Sequence, residues 1–217
     1  MKSIRLKFNQ KSGEFKASAP RFLSHKKVYE FLESKSDWML KNKHRFENRP
    51  KTQVVEFISG EKHWYLGKLY TIEIREVHKQ FGCSFLQDSI LVIHVPIGSS
   101  KAERSHVLDQ FYRNSLRSIL PNIISKWEET IDVKSNGFLV RKMKTRWGTC
   151  NIQSKRITIN LELIKHPQIN LEHVVVHELV HLLERGHNAR FYGFLDQFQP
   201  GWRLIDTDIK KRGLECH

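Results

Sequence analysis

Long apolar runs are missing from this chain of 217 residues. No stretch of about 20 consecutive apolar residues occurs, so no membrane-spanning helix is expected. Cysteine is scarce as well. Cys83, Cys150 and Cys216 are odd in number, far apart, and form no Cys-x-x-Cys pair. That argues against a disulfide framework and for a reducing compartment, so the cytoplasm is the expected location. Cys150 reads as a buried small residue rather than a ligand. Internal repeats and low-complexity segments are absent too, which excludes solenoids and linker-rich chains. Negative charge is in short supply: 23 Asp and Glu face 37 Lys and Arg, for a formal net charge of +14.

That balance points to an anionic partner, whether nucleic acid, a nucleotide or an acidic protein, although a solvated basic surface carries the same charge. Residues 1–50 alone hold 13 Lys or Arg against five Asp or Glu. No recognised nucleic-acid-binding motif accompanies them. What is present suffices for a soluble globular protein, with 39% hydrophobic and 28% charged residues. The length is enough to bury a core without a metal to staple it.

The patterning predicts an α+β fold. Ile4, Leu6 and Phe8 alternate with polar residues, as do Phe15, Ala17 and Ala19, which predicts a hairpin turning at residues 9–13 and not a signal peptide. Ser24 can cap one long helix reaching about residue 48, with a possible break at residues 34–36. Short strands are expected at residues 54–58, 63–65, 69–75, 85–86 and 90–95. Residues 96–100 mark the expected boundary between a β-rich N-terminal region, residues 1–98, and a catalytic region, residues 99–217. The second region reads as a helix over 101–131, kinked or restarted at Pro121. An antiparallel strand pair at 138–150 and 156–160 follows, and then further helices.

The chemistry concentrates at His177-Glu-Leu-Val-His181, with another histidine at 187. On a helix, residues four apart share a face about 6 Å apart along the axis, so His177 and His181 can converge on one cation. Three protein ligands leave a position for water, whose pKa zinc lowers to about 7. Glu178, beside them, can take that proton and return it to a leaving group. Asn170 is a candidate N-cap, and Gly186 a candidate left-handed stop that folds His187 back as third ligand. His173 lies eight residues from His181, about 12 Å along the axis, too far to share the ion. Glu184 and Asp196 are acidic alternatives for the third ligand.

Met143-Lys-Thr-Arg-Trp-Gly-Thr-Cys150, Ile157-x-Ile-Asn160, Val174-Val-Val-His-Glu-Leu-x-His181, His187-Asn188, Phe191 and Pro200-x-Trp202 stand together in this chain. With Ser18-Ala-Pro20, Trp38 and Tyr65-Leu-Gly67, this set resembles the YgjP-like metal-dependent hydrolases, relatives of the SprT-like zinc peptidases. The resemblance covers nearly the whole chain. It implies a zincin-like region in which an active-site helix is flanked by an antiparallel strand pair. It also implies His177, His181 and His187 as ligands of Zn2+ (or another divalent transition metal) and Glu178 as catalytic acid/base. The histidine spacing equals that of metzincins, but Glu184 stands where they place a glycine, so the chain is not a plain metzincin.

Between Val133 and Cys150 the chain holds five basic residues and no acid. Arg146 among them is a candidate to bind a substrate carboxylate or phosphate. The strand edge could also pair with an extended peptide. Trp147 reads as packing. Tyr192 and Arg190 are candidates to stabilise an oxyanion. The leading expectation is therefore a zinc-dependent peptidase using Glu178. One alternative is a hydrolase of nucleoside triphosphates or another phosphorylated small molecule, although magnesium-type chemistry would call for several carboxylates. The other is a nucleic-acid-binding module with a structural metal, which would have no need of Glu178.

Overall fold

The computed structural model describes residues 3–9, 12–47, 55–86 and 89–213. Val54 and Cys216 lie outside them. The chain divides into two compact units, residues 1–53 and 54–217.

In the first unit, β1 (Arg5–Phe8) and β2 (Phe15–Ser18) form the expected antiparallel hairpin, with Phe8 opposite Phe15. Gly13 turns it in the left-handed region (φ +73°), where a Cβ would also strike the Phe46 ring at 2.6 Å. Ser24 caps α1 (His25–Glu33) by accepting from the Lys27 N–H. The helical region breaks after Glu33, and α2 (Ser36–Glu47) follows. Apolar packing is a small aromatic group. Phe8 and Phe15 lie 4.6 Å apart, Phe46 is edge-on to Phe8, and Trp38 is edge-on to Phe15. Pro20 is the only buried residue among the described residues of this unit.

The second unit opens with a four-stranded sheet in the order β3-β4-β6-β5. Its strands are β3 (Lys62–Tyr65), β4 (Lys68–Glu76), β5 (Gly82–Leu86) and β6 (Ile90–Val95). β4 and β6 run parallel, and the other pairs are antiparallel. The apolar run of β6 is fully buried at Leu91, Val92 and Ile93. A capping box between Ser100 and Glu103 starts α3 (Lys101–Ile131), which continues as one helix through Pro121 without a restart.

Next come β7 (Phe138–Arg141), β8 (Gly148–Asn151) and β9 (Arg156–Asn160), in the order β7-β9-β8. A 3-10 turn (Leu161–Lys165) leads into α4 (Gln168–Val180), α5 (Ala189–Phe198) and α6 (Trp202–Arg212). The fold is mixed α+β. No helix among the described residues is long and apolar enough to cross a membrane.

Three expectations change here. Ile72, Leu91, Ile93 and Val95 share one apolar core with Leu116 of α3 and Val175 of α4, so the expected boundary at residue 98 falls inside the second unit. Residues 55–58 form no strand. Phe57 has φ 55°, and the Glu61 carboxylate accepts from the N–H groups of Glu56 and Phe57 at 2.8 Å each. A side-chain acceptor there replaces a ladder partner. The expected strand over 138–150 is two strands, β7 parallel and β8 antiparallel to β9. The Asn160 side chain holds the intervening loop, donating to the carbonyls of Met143 (2.9 Å) and Arg146 (2.8 Å) and accepting from the Met143 N–H (3.1 Å).

Candidate metal centre

Helix α4 carries the motif because nearly all of it is buried. Leu171, Val175, Val176, Leu179 and Val180 have no exposed surface. Each stabilises the fold by roughly 1.5–3 kcal/mol. The strip that remains toward a cleft of about 580 Å³ includes His173, His177 and Glu178. Pro167 occupies the N-cap position expected for Asn170. Asn170 lies buried in the first turn, donating to Asp208 Oδ2 at 2.9 Å.

The helix ends at Val180, well before Gly186. His181 is its C-cap and keeps helical angles (φ −62°, ψ −17°). The i, i+4 relation therefore survives, and the His177 and His181 rings lie 5.0 Å apart. Beyond it the turn tightens, with Leu182, Leu183 and Glu184 N–H groups bonding back to the carbonyls of Leu179 and Val180. Gly186 is not among the glycines with positive φ. Glu184 closes the turn in its place. Its carboxylate accepts from the Gly186 N–H at 3.3 Å, and its backbone carbonyl accepts from His181 Nδ1 at 3.1 Å. Asn188 then caps α5 by accepting from the Phe191 N–H.

This path returns His187 to α4, with its Nε2 2.9 Å from His177 Nε2. One ring nitrogen each from His177, His181 and His187 lies within 4.8 Å of the others. Fully buried Phe191 backs all three rings at 4.7–4.9 Å. A carbonyl can only accept, so the bond to Glu184 puts the proton of neutral His181 on Nδ1 and leaves Nε2 a free lone pair. Burial, reinforced by the adjacent imidazoles, pushes His177 down to about 3, and burial lowers His181. Both are thus neutral, the form that binds metal. Zinc–nitrogen bonds of about 2.0 Å at the tetrahedral angle separate ligand atoms by about 3.3 Å. The 2.9 Å between His177 and His187 needs a few tenths of an ångström of opening, and the widest pair of the three, within 4.8 Å, needs closing by up to about 1.5 Å. The three residues fit a zinc-sized cation.

Glu178 is buried in the wall of the same cleft. Burial pushes its carboxyl up to about 8, and the Arg146 charge pulls it the other way. Gly148 of β8 lies against it. A Cβ on Gly148 would stand 2.6 Å from Glu178 Oε1 and 2.8 Å from Cγ. Thr149 and Cys150 extend that wall, and Arg146 and Arg185 also line the cleft. Neither arginine side chain has an ion pair or hydrogen bond among the described residues. Asp206, on the α6 side, is paired with Lys210 at 2.6 Å.

The other candidates lie as follows. His173 lines the cleft but is not grouped with the three histidines. Its Nδ1 is 2.7 Å from Gln199 Oε1, and its ring stacks on Trp202. Tyr192 stacks on the indole of Trp202 with its ring 6.5 Å from His187, and it does not line the cleft. Arg190 faces Glu184 at 4.0 Å and the Phe194 ring. Asp196 is taken by Arg203 and the Trp202 indole. Trp147 packs edge-on against His166. Burial raises the Cys150 thiol to about 11, so it is protonated. Arg185 and Asp206 had no signal in the sequence as cleft residues, since they reach it from separate elements, and Thr149 stood in a quoted motif without a role.

A sequence profile of the YgjP-like metallopeptidase domain matches residues 2–212. The chain belongs to the YgjP-like family. It is accordingly a member of a family of metal-dependent hydrolases, in line with the resemblance read from its motifs. No curated protein matches it. Among solved structures it is similar to the metallopeptidase zymogen of Pyrococcus abyssi abylysin, at 15% identity and TM-score 0.41, over 43% of this chain and 94% of that one. It is also similar to the metallopeptidase zymogen of Methanocaldococcus jannaschii jannalysin, at 16% identity and TM-score 0.39, over 42% and 94%.

Proposed function

We propose that this YgjP-like chain is a zinc-dependent peptidase of the cytoplasm, with His177, His181 and His187 as ligands and Glu178 as general base and acid. One observation carries the reading: three imidazole nitrogens within 4.8 Å of one another, beside a buried carboxylate on the same helix. Zinc bound there supplies Lewis acidity, lowering the pKa of a water to about 7 and polarising a carbonyl. Glu178 accepts the proton of the attacking water on its carboxylate and delivers it to the departing amine. A metal ion held by the three histidines would favour the ionised carboxylate that this role needs, against the effect of burial. Gly148 leaves the space that Glu178 fills.

The substrate wall also suits a peptide. β8 is the edge strand of its sheet, with one side paired to β9. Gly148, Thr149 and Cys150 of this strand line the cleft. Unpaired N–H and C=O groups on such an edge can take an extended chain as a further strand. The unpaired guanidinium groups of Arg146 and Arg185 favour acidic substituents on it.

Those two arginines also support a second reading, hydrolysis of a phosphorylated small molecule. Among the described residues the cleft offers only Glu178 and Asp206 as acids, which disfavours magnesium-type chemistry. Zinc-loaded wild type and Glu178→Gln should be assayed in parallel on a peptide library and on nucleoside triphosphates. Peptide cleavage lost by a factor of about 10³ or more in Glu178→Gln, with zinc retained, is the expected outcome. Turnover of nucleoside triphosphates without peptide cleavage would replace the first reading by the second.

A further inference from the structure

Charge is distributed unevenly between the two units. Residues 1–53 hold 14 of the chain's 37 Lys and Arg but only five of its 23 Asp and Glu. Ten of those 14 cations fall among the described residues, and all ten are exposed. None of the ten is ion-paired to a carboxylate among the described residues. The second unit behaves differently: Lys101 pairs with Glu56, Lys134 with Glu128 and Lys165 with Glu162, at 2.6–2.7 Å.

The hairpin sharpens the contrast. Lys7 stands directly opposite Lys16 in the β1–β2 register, and Arg5 shares the Lys7 face. Like charges in that relation destabilise a strand pair. Lys16 and Lys43 of α2 also line one concavity, with Asn9, Gly13, Glu14 and Phe15. A unit whose packing is four aromatic rings has little stability to set against such repulsion. The same unit exposes two aromatic rings to water, Phe22 at 77% and Tyr29 at 72%. Arg21, Lys26 and Lys27 are their neighbours in the chain. Exposed cations without carboxylate partners, close in the chain to bare rings, match a ligand with phosphates along its length and unstacked bases between them.

We propose that the described residues of the first unit form a docking surface for single-stranded nucleic acid, distinct from the hydrolytic cleft. Phosphates neutralise Lys7, Lys16 and Lys43, and bases stack on Phe22 and Tyr29. The proposal does not depend on what the cleft hydrolyses.

The test is fluorescence anisotropy of the full zinc-loaded chain on a labelled single-stranded oligonucleotide, titrated between about 50 and 200 mM salt. Binding should weaken steeply with salt. Combining Lys7→Glu, Lys16→Glu and Lys43→Glu should weaken it by about tenfold or more and reduce the log–log salt slope by about 2, at roughly 0.7 per lost phosphate contact. Phe22→Ala with Tyr29→Ala should weaken it by about tenfold and leave the slope unchanged. Zinc content and peptide cleavage should match wild type in both variants. The Glu variants keep like charges opposite each other at positions 7 and 16, so Lys→Gln at the same three positions repeats the test with that repulsion removed and without introducing negative charge. Absence of binding at low salt would overturn the proposal. So would a slope unmoved by charge reversal, tighter binding of duplex, or polyglutamate competing as well as unlabelled oligonucleotide.

Discussion

Gly148 sets the position of Glu178. The carboxylate occupies the space that any side chain at residue 148 would claim: a Cβ there would stand 2.6 Å from Oε1 and 2.8 Å from Cγ. Glu178 is buried and cannot swing away freely. Gly148→Ala should therefore displace the carboxylate while leaving the three histidines in place. Steady-state kinetics should show kcat reduced by about 10²-fold with zinc stoichiometry unchanged, because a displacement of about 1 Å is enough for that loss. Unchanged kcat would mean that Glu178 has room to move and Gly148 does not position it. At this scale the histidines and Glu178 were legible because their spacing is local and helical. Gly148 was visible as part of a motif, but its purpose was not, because its partner is 30 positions away in the chain.

At the scale of elements, the loop between β7 and β8 is held by one side chain. Asn160 is fully buried at the end of β9, and both ends of its amide are used on Met143 and Arg146. Asn160→Asp keeps the shape but removes two donors and places a charge among carbonyls. Chemical denaturation should show a loss of about 2–4 kcal/mol. Proteolysis should become faster within residues 142–147. A variant as stable as wild type would mean that the loop is held by other contacts. The tripartite arrangement of β7, β8 and β9 was hidden in the sequence for this reason: the break at residues 142–147 follows from a distant amide, not from Gly or Pro. The end of α4 was hidden similarly. Gly186 looked like the stop, whereas Glu184 and the carbonyls of Leu179 and Val180 close the turn earlier. The β1–β2 hairpin and a helical region starting after Ser24 were legible because alternation and an N-cap are local signals, although that region was expected as one long helix and is two.

For the molecule as a whole, buried histidines make stability depend on pH. Burial, with the Arg212 charge adding to it, pushes His166 down to about 4. Its ordinary value is near 6.5, so the unfolded chain takes up a proton before the folded chain does. Stability from this group is complete above about 6.5 and is lost as pH falls toward 4. Denaturation of the zinc-loaded chain at pH 7 and pH 5 should show the decline. His166→Gln should lessen it by on the order of 1–2 kcal/mol. An identical decline in wild type and variant would remove His166 from the explanation. At the same scale, the shared core of β4, β6, α3 and α4 explains why the expected boundary at residue 98 falls within a unit: the apolar residues on both sides were recognisable, but their mutual packing was not.

The central claim is that one cation sits among His177, His181 and His187. Zinc content per chain, measured by elemental analysis on wild type and on His187→Ala after dialysis against trace zinc, tests it most directly. One equivalent in wild type, with affinity reduced by about 100-fold or more in His187→Ala, is the expected result. No stoichiometric metal in wild type, or unchanged affinity in His187→Ala, would contradict it.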